Sequence, residues 1–138
     1  MRSAGRGGAL INVASVLAFL PFPHGGALYA ATKAFVSSLL LALWEEQRAR
    51  GVYVMGLCPG ATSTEFFDRA GGDPNEPPPE AIMQTPQQVV SEALHALHRR
   101  KKPIVVTGGM NRVFVFLSRL MSFRTQTKIM KKTAPKKR

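Results

Sequence analysis

Three short, predominantly apolar runs divide the chain, each bounded by turn-forming or small polar residues. They are residues 9–14, 52–57 and 104–106. Runs of this length and composition are typical of strands buried on both faces of a parallel sheet. Longer stretches with a helical pattern separate them. The chain is therefore predicted to fold as repeated parallel βαβ units.

A long helix is predicted between the first two strands. Residues 29–50 contain no Gly or Pro and are rich in Ala, Leu, Glu and Gln, which favour helices. Gly51 is expected to end this helix as the C′ residue. Because apolar side chains cover more than one stripe, the helix needs two partners: its own sheet and a neighbouring helix or subunit.

Two further helices are predicted in the second half of the chain. The run Thr85-Pro86-Gln87-Gln88 contains an N-cap residue, a first-turn proline and the partner of a capping box, which predicts a helix to about residue 100. An amphipathic helix is predicted from about residue 111 to beyond residue 123. Its apolar face comprises Val113, Phe116, Leu117, Leu120 and Met121, with Arg112 and Arg119 at its flank.

Two segments lack a regular pattern. Residues 61–84 contain Gly-Gly, Asp-Pro and Pro-Pro-Pro, which predicts either a functional lid or disorder. From Lys128 onwards the apolar spacing is lost, and that end is expected to be mobile. We therefore divide the chain into a folded part, residues 1–124, and a basic tail, residues 125–138.

Composition indicates the class of protein to which the chain belongs. With 138 residues, 45% hydrophobic and 20% charged, the chain is predicted to form one soluble globular domain. A single cysteine, Cys58, excludes an internal disulfide and favours a reducing, cytoplasmic location. No uninterrupted apolar run reaches the ~18 to 20 residues of a spanning helix. A secretory leader over residues 1–31 is the less favoured reading, because Asn12 and Ser15 interrupt its apolar stretch.

The net charge of +11 is concentrated at one end. Residues 1–92 hold six Lys or Arg and all eight acids, whereas residues 93–138 hold thirteen Lys or Arg and no acid. An electrostatic partner is therefore expected to meet the C-terminal part.

Candidate catalytic residues occur where open α/β sheets place their sites, at strand ends and helix starts. Ser15 ends the first strand, and Tyr29 and Lys33 lie one turn apart on the following helix. A nearby ammonium group stabilises a phenolate, so a phenol beside it can exchange a proton. A serine hydroxyl can hold a carbonyl or alcohol oxygen. Such a site suits carbonyl and alcohol redox chemistry and requires a nicotinamide cofactor for the hydride.

The ordered motifs resemble the short-chain dehydrogenase/reductase family. They are Asn12-Val13-Ala14-Ser15, Tyr29-Ala30-Ala31-Thr32-Lys33 and Cys58-Pro59-Gly60-Ala61-Thr62-Ser63-Thr64-Glu65-Phe66. Residues 85–108 also resemble that family's last helix and strand. The resemblance implies an α/β fold of partial Rossmann type, doubly wound, with three parallel strands and flanking helices.

Roles follow from the resemblance residue by residue. It implies that Ser15 positions the substrate oxygen, that Tyr29 is the catalytic acid/base, and that Lys33 favours the phenolate and contacts the nicotinamide ribose. The residues implied to hold the nicotinamide carboxamide are Pro59, Gly60, Thr62 and Thr64.

The cofactor is thus expected to be NAD or NADP, with the choice undetermined. The expected substrate is a small alcohol or carbonyl compound, and Phe66, Phe67 and the apolar last helix suggest a lipophilic one. Residues 65–84 are implied to cover the substrate. A homo-oligomer is expected through helix 29–50.

Family features that precede the serine strand are not found before it here. Only residues 1–8 stand before that strand, with no glycine-rich phosphate turn between a strand and a helix. We expect the chain to be the C-terminal half of such an enzyme, with the N-terminal nucleotide-binding half missing and little or no activity alone. Its first strand is then expected to present an unpaired edge.

Two other classes of function stay open. Residues 111–138 could contact an anionic membrane surface, and nucleic acid is the less favoured partner because no nucleic-acid-binding motif is present. Alternatively, the chain is a non-catalytic fragment that pairs with another chain. No metal site is predicted, because His24, His95 and His98 have no metal-like partners. Cys58 is expected to be a packed thiol.

Overall fold

A computed structural model describes residues 7–23, 26–65 and 78–133 of the 138-residue chain. Its three strands form one parallel sheet in the order β1-β2-β3. The strands are β1 (Ala9–Val13), β2 (Tyr53–Cys58) and β3 (Ile104–Val106). The strand positions agree with the sequence pattern, with β2 displaced by one residue.

Among the described residues, four α-helices flank and follow the sheet: α1 (Ala27–Arg48), α2 (Pro86–Arg99), α3 (Gly109–Leu120) and α4 (Phe123–Thr133). Two 3-10 turns, Val16–Phe19 and Glu80–Ile82, lie in the connections. The predicted α/β fold with three parallel strands and flanking helices is confirmed.

Strand β2 is the centre of the fold, and all six of its residues are buried. Its side chains Tyr53, Met55 and Leu57 form a cluster with Val89 and Ala93 of α2. Helix α1 packs closely on β2 at Gly56, where an added Cβ would lie 2.7 Å from Ile104 Cδ1 and 3.1 Å from Leu40 Cδ1. The sheet is thus covered by α1 and α2.

Strand β1 differs from its prediction. The sequence pattern predicted burial on both faces, but Leu10, Ile11 and Val13 are each more than a third exposed. Within the part of the chain that the structure describes, β1 pairs with β2 alone and forms an edge of the sheet, which agrees with the expectation of an unpaired edge at the first strand. An edge strand is covered less completely than a central one, which accounts for the exposure.

Both predicted boundaries of α2 are observed. The Gln88 N–H donates to Thr85 Oγ1 (3.2 Å) and the Thr85 N–H donates to Gln88 Oε1 (2.8 Å), which completes the capping box. Arg100 ends the helix in the left-handed region, with φ 48°. Helix α1 ends at Arg48, so Gly51 (φ 69°) lies beyond the C′ position that the sequence suggested.

The end of the chain also differs from its prediction. One helix was expected from residue 111 to beyond 123, but α3 stops at Leu120 and α4 begins at Phe123. The Ser122 carbonyl accepts the Gln126 N–H (3.0 Å), and the Ser122 side chain accepts the Thr125 N–H (3.3 Å).

Residues 128–133, expected to be mobile, continue helix α4 because Gln126 and Met130, one turn apart, are buried. Residues 134–138 lie outside the described part, and the division at residue 124 stays a prediction.

Helix α1 corrects the expectation that no segment is long and apolar enough to span a membrane. By length and composition alone it could cross a membrane, with a mean hydropathy of 1.5 over its most apolar window. Counting only uninterrupted apolar residues missed it, because Lys33 and two serines lie within the segment. One face of α1 packs against β2 through Leu40, and 17% of its most apolar window is buried.

Candidate active site

Ser15 lies at the junction of β1 with the 3-10 turn that follows, and it is buried. Its Oγ accepts a hydrogen bond from the Leu17 N–H (3.2 Å), so it caps that turn. The neighbouring Val16 N–H donates to the Pro59 carbonyl (3.0 Å), which holds Ser15 beside the end of β2. Because Ser15 Oγ is the acceptor in this bond, its hydroxyl proton can still be donated to another group.

Lys33 connects helix α1 to the end of β1. Its ammonium donates to the Val13 carbonyl (2.8 Å), two residues before Ser15. The same Nζ lies 5.7 Å from the centre of the Tyr29 ring. Since α1 begins at Ala27, Tyr29 lies in the first turn of the helix. The structure therefore places Lys33 next to both the predicted phenol and the strand that carries Ser15.

The predicted cofactor-binding residues form a loop directly after β2. Thr62 Oγ1 donates to the Gly60 carbonyl (3.2 Å), and the Thr64 N–H donates to the Thr62 carbonyl (2.8 Å). Pro59 is tied to the residue after Ser15 through its carbonyl. The loop and the serine thus lie together at the carboxyl ends of β1 and β2.

Gln84 lies beside this loop, and the sequence alone did not single it out. Its backbone forms a short bridge with the threonine loop: the Gln84 N–H donates to the Ala61 carbonyl (2.9 Å), and the Ser63 N–H donates to the Gln84 carbonyl (2.9 Å). Its buried side chain accepts from Thr107 Oγ1 (2.6 Å) and donates to Glu92 Oε1 (2.8 Å). The loop is therefore fixed to α2 and to the end of β3. Nothing in the irregular pattern of residues 61–84 marks this glutamine.

Glu92 accepts the remaining hydrogen bonds of this network. Its Oε1 also accepts the Gly108 N–H (3.0 Å), and its Oε2 accepts from Arg112 (2.7 Å). Partial burial raises the pKa of the Glu92 carboxyl, but the bonds from Arg112, Gly108 and Gln84 outweigh burial and lower it overall. Glu92 therefore holds a negative charge that joins α2 to the start of α3.

Asn111 completes the support of the loop. Its Nδ2 donates to the carbonyls of Thr107 (3.0 Å) and Ile82 (3.3 Å). It lies so close to Gly60 that an added Cβ there would be 2.3 Å from Asn111 Nδ2. Only glycine fits at that position of the loop without displacing Asn111.

A cleft of about 380 Å³ lies beside this polar network. Its lining includes Gln84, Glu92 and Asn111 but none of Ser15, Tyr29 and Lys33. The described cleft and the predicted catalytic residues thus occupy different positions. Phe66 and Phe67, which suggested a lipophilic substrate, lie outside the described residues.

The three segments that carry the predicted chemistry fall within one family match. A family model described as "short chain dehydrogenase" matches residues 1–74, more than half of the 138-residue chain. The chain belongs to the short-chain dehydrogenase family. The resemblance seen in the motifs is therefore confirmed. Gln84, Glu92, Asn111 and helices α2 to α4 lie beyond the matched residues.

Curated relatives of this short-chain dehydrogenase chain are similar over about half of it. Serine 3-dehydrogenase of Rhizobium radiobacter is 41% identical over 69 residues, which is 49% of this chain and 27% of the relative. Sulfoacetaldehyde reductase of Chromohalobacter salexigens is 40% identical over 70 residues, 50% of this chain and 27% of the relative. The chain thus spans about a quarter of the length of these relatives.

Solved structures match more of the chain. A short-chain dehydrogenase from Burkholderia cenocepacia J2315 in complex with NADP has a TM-score of 0.71 and 25% identity, with 90% of this chain and 49% of that chain covered. One from Sphingobium yanoikuyae in complex with NADPH has a TM-score of 0.64 and 32% identity, with 89% and 44% covered. The chain therefore spans about half the length of each.

Cys58 is buried and is not among the groups that converge on the loop. Burial raises the pKa of its thiol, and this effect outweighs the hydrogen bonds from Ser37 and the Ser15 backbone and the charges of Lys33 and Arg119. The Ser37 Oγ lies 3.9 Å from Cys58 Sγ. The prediction of a packed thiol is confirmed.

His95 and His98 are exposed on helix α2. His24 lies outside the described residues. Over residues 7–23, 26–65 and 78–133, no three His, Cys, Asp or Glu side chains come close enough to hold a metal ion.

Proposed function

We propose that this chain carries the proton-transfer and nicotinamide-binding side of an NAD(P)-dependent oxidoreductase that interconverts an alcohol and a carbonyl compound. The observation that supports it most is the position of Lys33. Its ammonium is bonded to the end of β1 and lies 5.7 Å from the centre of the Tyr29 ring. An ammonium group beside a phenol is the pairing that proton transfer by the phenol calls for.

Tyr29 is the acid/base in this proposal. In the direction of reduction its phenol donates a proton to the substrate oxygen, and in oxidation its phenolate accepts that proton. The Ser15 hydroxyl donates a hydrogen bond to the same oxygen and holds it. The hydrogen bond from Lys33 to the Val13 carbonyl holds its ammonium beside the phenol.

The residues at the carboxyl ends of β1 and β2 and in the first turns of α1 fit the nicotinamide end of NAD(P). Lys33 and Tyr29 supply donors for ribose hydroxyls, and the backbone of Pro59 and Gly60 with the hydroxyls of Thr62 and Thr64 supplies partners for a carboxamide. When bound, the nicotinamide supplies or accepts the hydride. Two similar structures are complexes with NADP and with NADPH, which supports a dinucleotide cofactor for this family member.

A second copy of the chain is the proposed partner at the outer face of α1. That face exposes three large apolar side chains at helical spacing: Leu28, Phe35 and Leu39. An apolar stripe opposite the sheet-facing side is what a helix at a subunit interface needs. The substrate is proposed to be a small alcohol or carbonyl compound.

The proposal is tested with a matched pair of tyrosine variants. NADPH and NADH oxidation is followed with a panel of aldehydes and ketones for the wild type, Tyr29→Phe and Tyr53→Phe. Tyr29→Phe is expected to lower the rate by about 10²- to 10⁴-fold. Tyr53→Phe removes a phenol that donates to the Lys102 carbonyl (2.6 Å), away from the Tyr29 edge, and should keep the rate. Equal rates for wild type and Tyr29→Phe would refute the assignment.

A further inference from the structure

Helix α3 turns its apolar stripe away from the protein. The stripe is formed by Val113, Phe116, Leu117 and Leu120, all of them exposed. The opposite stripe, which faces inward, consists of Asn111, Val115 and Ser118. In a helix that only covers a hydrophobic core the arrangement is the reverse, with apolar residues inside and polar residues outside.

Polar contacts fix this orientation. Asn111 donates to the Ile82 carbonyl (3.3 Å), and Arg112 donates to Glu92 of α2 (2.7 Å). Gln126 of α4 donates to the Ser118 carbonyl (2.7 Å). Turning α3 to bury its apolar stripe would break the bonds from Asn111 to Ile82 and from Arg112 to Glu92, so the exposed stripe is a stable feature of this fold.

Helix α4 presents positive charge in a continuous row. Its buried residues Gln126 and Met130 face the protein. The exposed basic residues follow at the spacing of the opposite helix face: Arg124, Lys128, Lys131 and Lys132. No Asp or Glu occurs in residues 109–133. The cations of α4 therefore have no acidic neighbour along these two helices.

We propose that α3 and α4 form a docking surface for an anionic membrane. An apolar helix face can enter the interfacial region of a bilayer, and neighbouring lysine and arginine side chains can meet the acidic headgroups. The short Met121–Ser122 link keeps the apolar stripe and the basic row next to each other in the chain. Phe123, at 83% exposure, adds an aromatic side chain between them.

Charge argues for lipid over the other occupants of such a surface. A second copy that met this face symmetrically would bring two rows of four cations together, which repel each other. Nucleic acid would pair with the basic row but would leave the apolar stripe of α3 in water. An anionic bilayer is the partner that satisfies both features.

The test is sedimentation of the chain with vesicles. Vesicles of phosphatidylcholine with phosphatidylglycerol are compared with vesicles of phosphatidylcholine alone, at low and high salt. We expect binding to the anionic vesicles only, weakened by salt. Extraction with alkaline carbonate should then release the protein, since contact through α3 and α4 is peripheral.

Variants assign the binding to the two helices. Phe116→Ser with Leu120→Ser should weaken anionic-vesicle binding by about tenfold or more, and so should Lys128→Gln with Lys131→Gln. The matched control is Leu94→Ser on α2, since Leu94 is 58% exposed and Leu120 71%. Circular dichroism establishes that each variant is folded.

Four results would overturn the proposal. They are equal binding to both vesicle types, equal loss in the Leu94→Ser control, retention in the membrane after carbonate, and no binding to either vesicle. Retention would indicate insertion of α1. Absence of vesicle binding together with dissociation of an oligomer in the variant Phe116→Ser with Leu120→Ser would identify the stripe as a protein interface. Tight binding to duplex DNA without vesicle binding would identify a nucleic-acid partner.

Discussion

The βαβ unit of residues 9–58 and the helix pair of residues 109–133 use polar and apolar side chains in opposite ways. In the first region the central strand β2 is wholly buried, and polar residues gather at strand ends, where Lys33 and Ser15 lie. In the second, α3 is held by inward-facing Asn111 and Ser118 and exposes its apolar stripe. The family match covers the first region and not the second. The contrast shows that an amphipathic pattern reveals a helix without revealing which face meets the protein.

The largest difference in the free energy of unfolding is expected between two leucine-to-alanine variants, one in each region. Leu40 of α1 is 1% exposed and Leu120 of α3 is 71% exposed. Leu40→Ala should cost about 2–5 kcal/mol in the free energy of unfolding, because it leaves a cavity beside β2. Leu120→Ala should change it by less than about 0.5 kcal/mol. Urea denaturation of both variants measures the difference, and similar costs would mean that the face of α3 is misplaced.

A smaller loss is expected at the polar network that joins the two regions. Gln84→Ala removes the acceptor of the buried Thr107 hydroxyl and a donor to Glu92. Leaving such groups unsatisfied should cost about 1–3 kcal/mol in the free energy of unfolding. Gln87→Ala, at an exposed position of α2, is the control. If both variants unfold at the same urea concentration, the network does not support the threonine loop.

The same network should give the protein an acid-sensitive contribution to stability. Burial alone would raise the pKa of Glu92, but its hydrogen bonds hold that pKa below the usual 4.5. A carboxyl with a lowered folded-state pKa stabilises the protein above its unfolded-state pKa, and the contribution is lost as the pH falls through the folded-state value. The urea midpoint of the wild type should exceed that of Glu92→Gln at pH 7, with the gap closing below about pH 4. A gap independent of pH would contradict the charged role.

The smallest of these effects concerns the start of α2, which belongs to neither region. Thr85→Ala removes the side-chain acceptor of the Gln88 N–H. It should cost about 1 kcal/mol in the free energy of unfolding, and Thr85→Ser should restore most of it. Thermal unfolding of the two variants tests this, and an unchanged midpoint in Thr85→Ala would show that the capping box adds nothing.

Strands and capped helices were predictable because local residues determine them. The short apolar runs gave β2 and β3 nearly to the residue, and Thr85 with Gln88 gave the start of α2. The break between α3 and α4 was not predictable from apolar spacing, since it depends on hydrogen bonds to Ser122. The exposure of β1 depends on its place at the sheet edge, which its own residues do not encode.

For the candidate site, sequence motifs pointed to Ser15, Tyr29 and Lys33, and the structure puts Lys33 beside Tyr29 and the end of β1. Gln84 could not be found this way. Its role comes from contacts with Ala61, which is 23 residues away, and with Thr107, and both depend on the folded sheet. Such long-range polar support has no local pattern in the sequence.

The proposed redox chemistry is tested most directly by following the hydride itself. The protein is incubated with NADPH or NADH that carries deuterium at C4 of the nicotinamide, together with the panel of ketones, and the products are examined by mass spectrometry. Because the chain alone is expected to be weakly active at most, we predict a small amount of alcohol labelled on its carbinol carbon with the wild type and about 10²-fold less of it with Tyr29→Phe. Unlabelled products from every ketone, or equal labelling by both proteins, would contradict it.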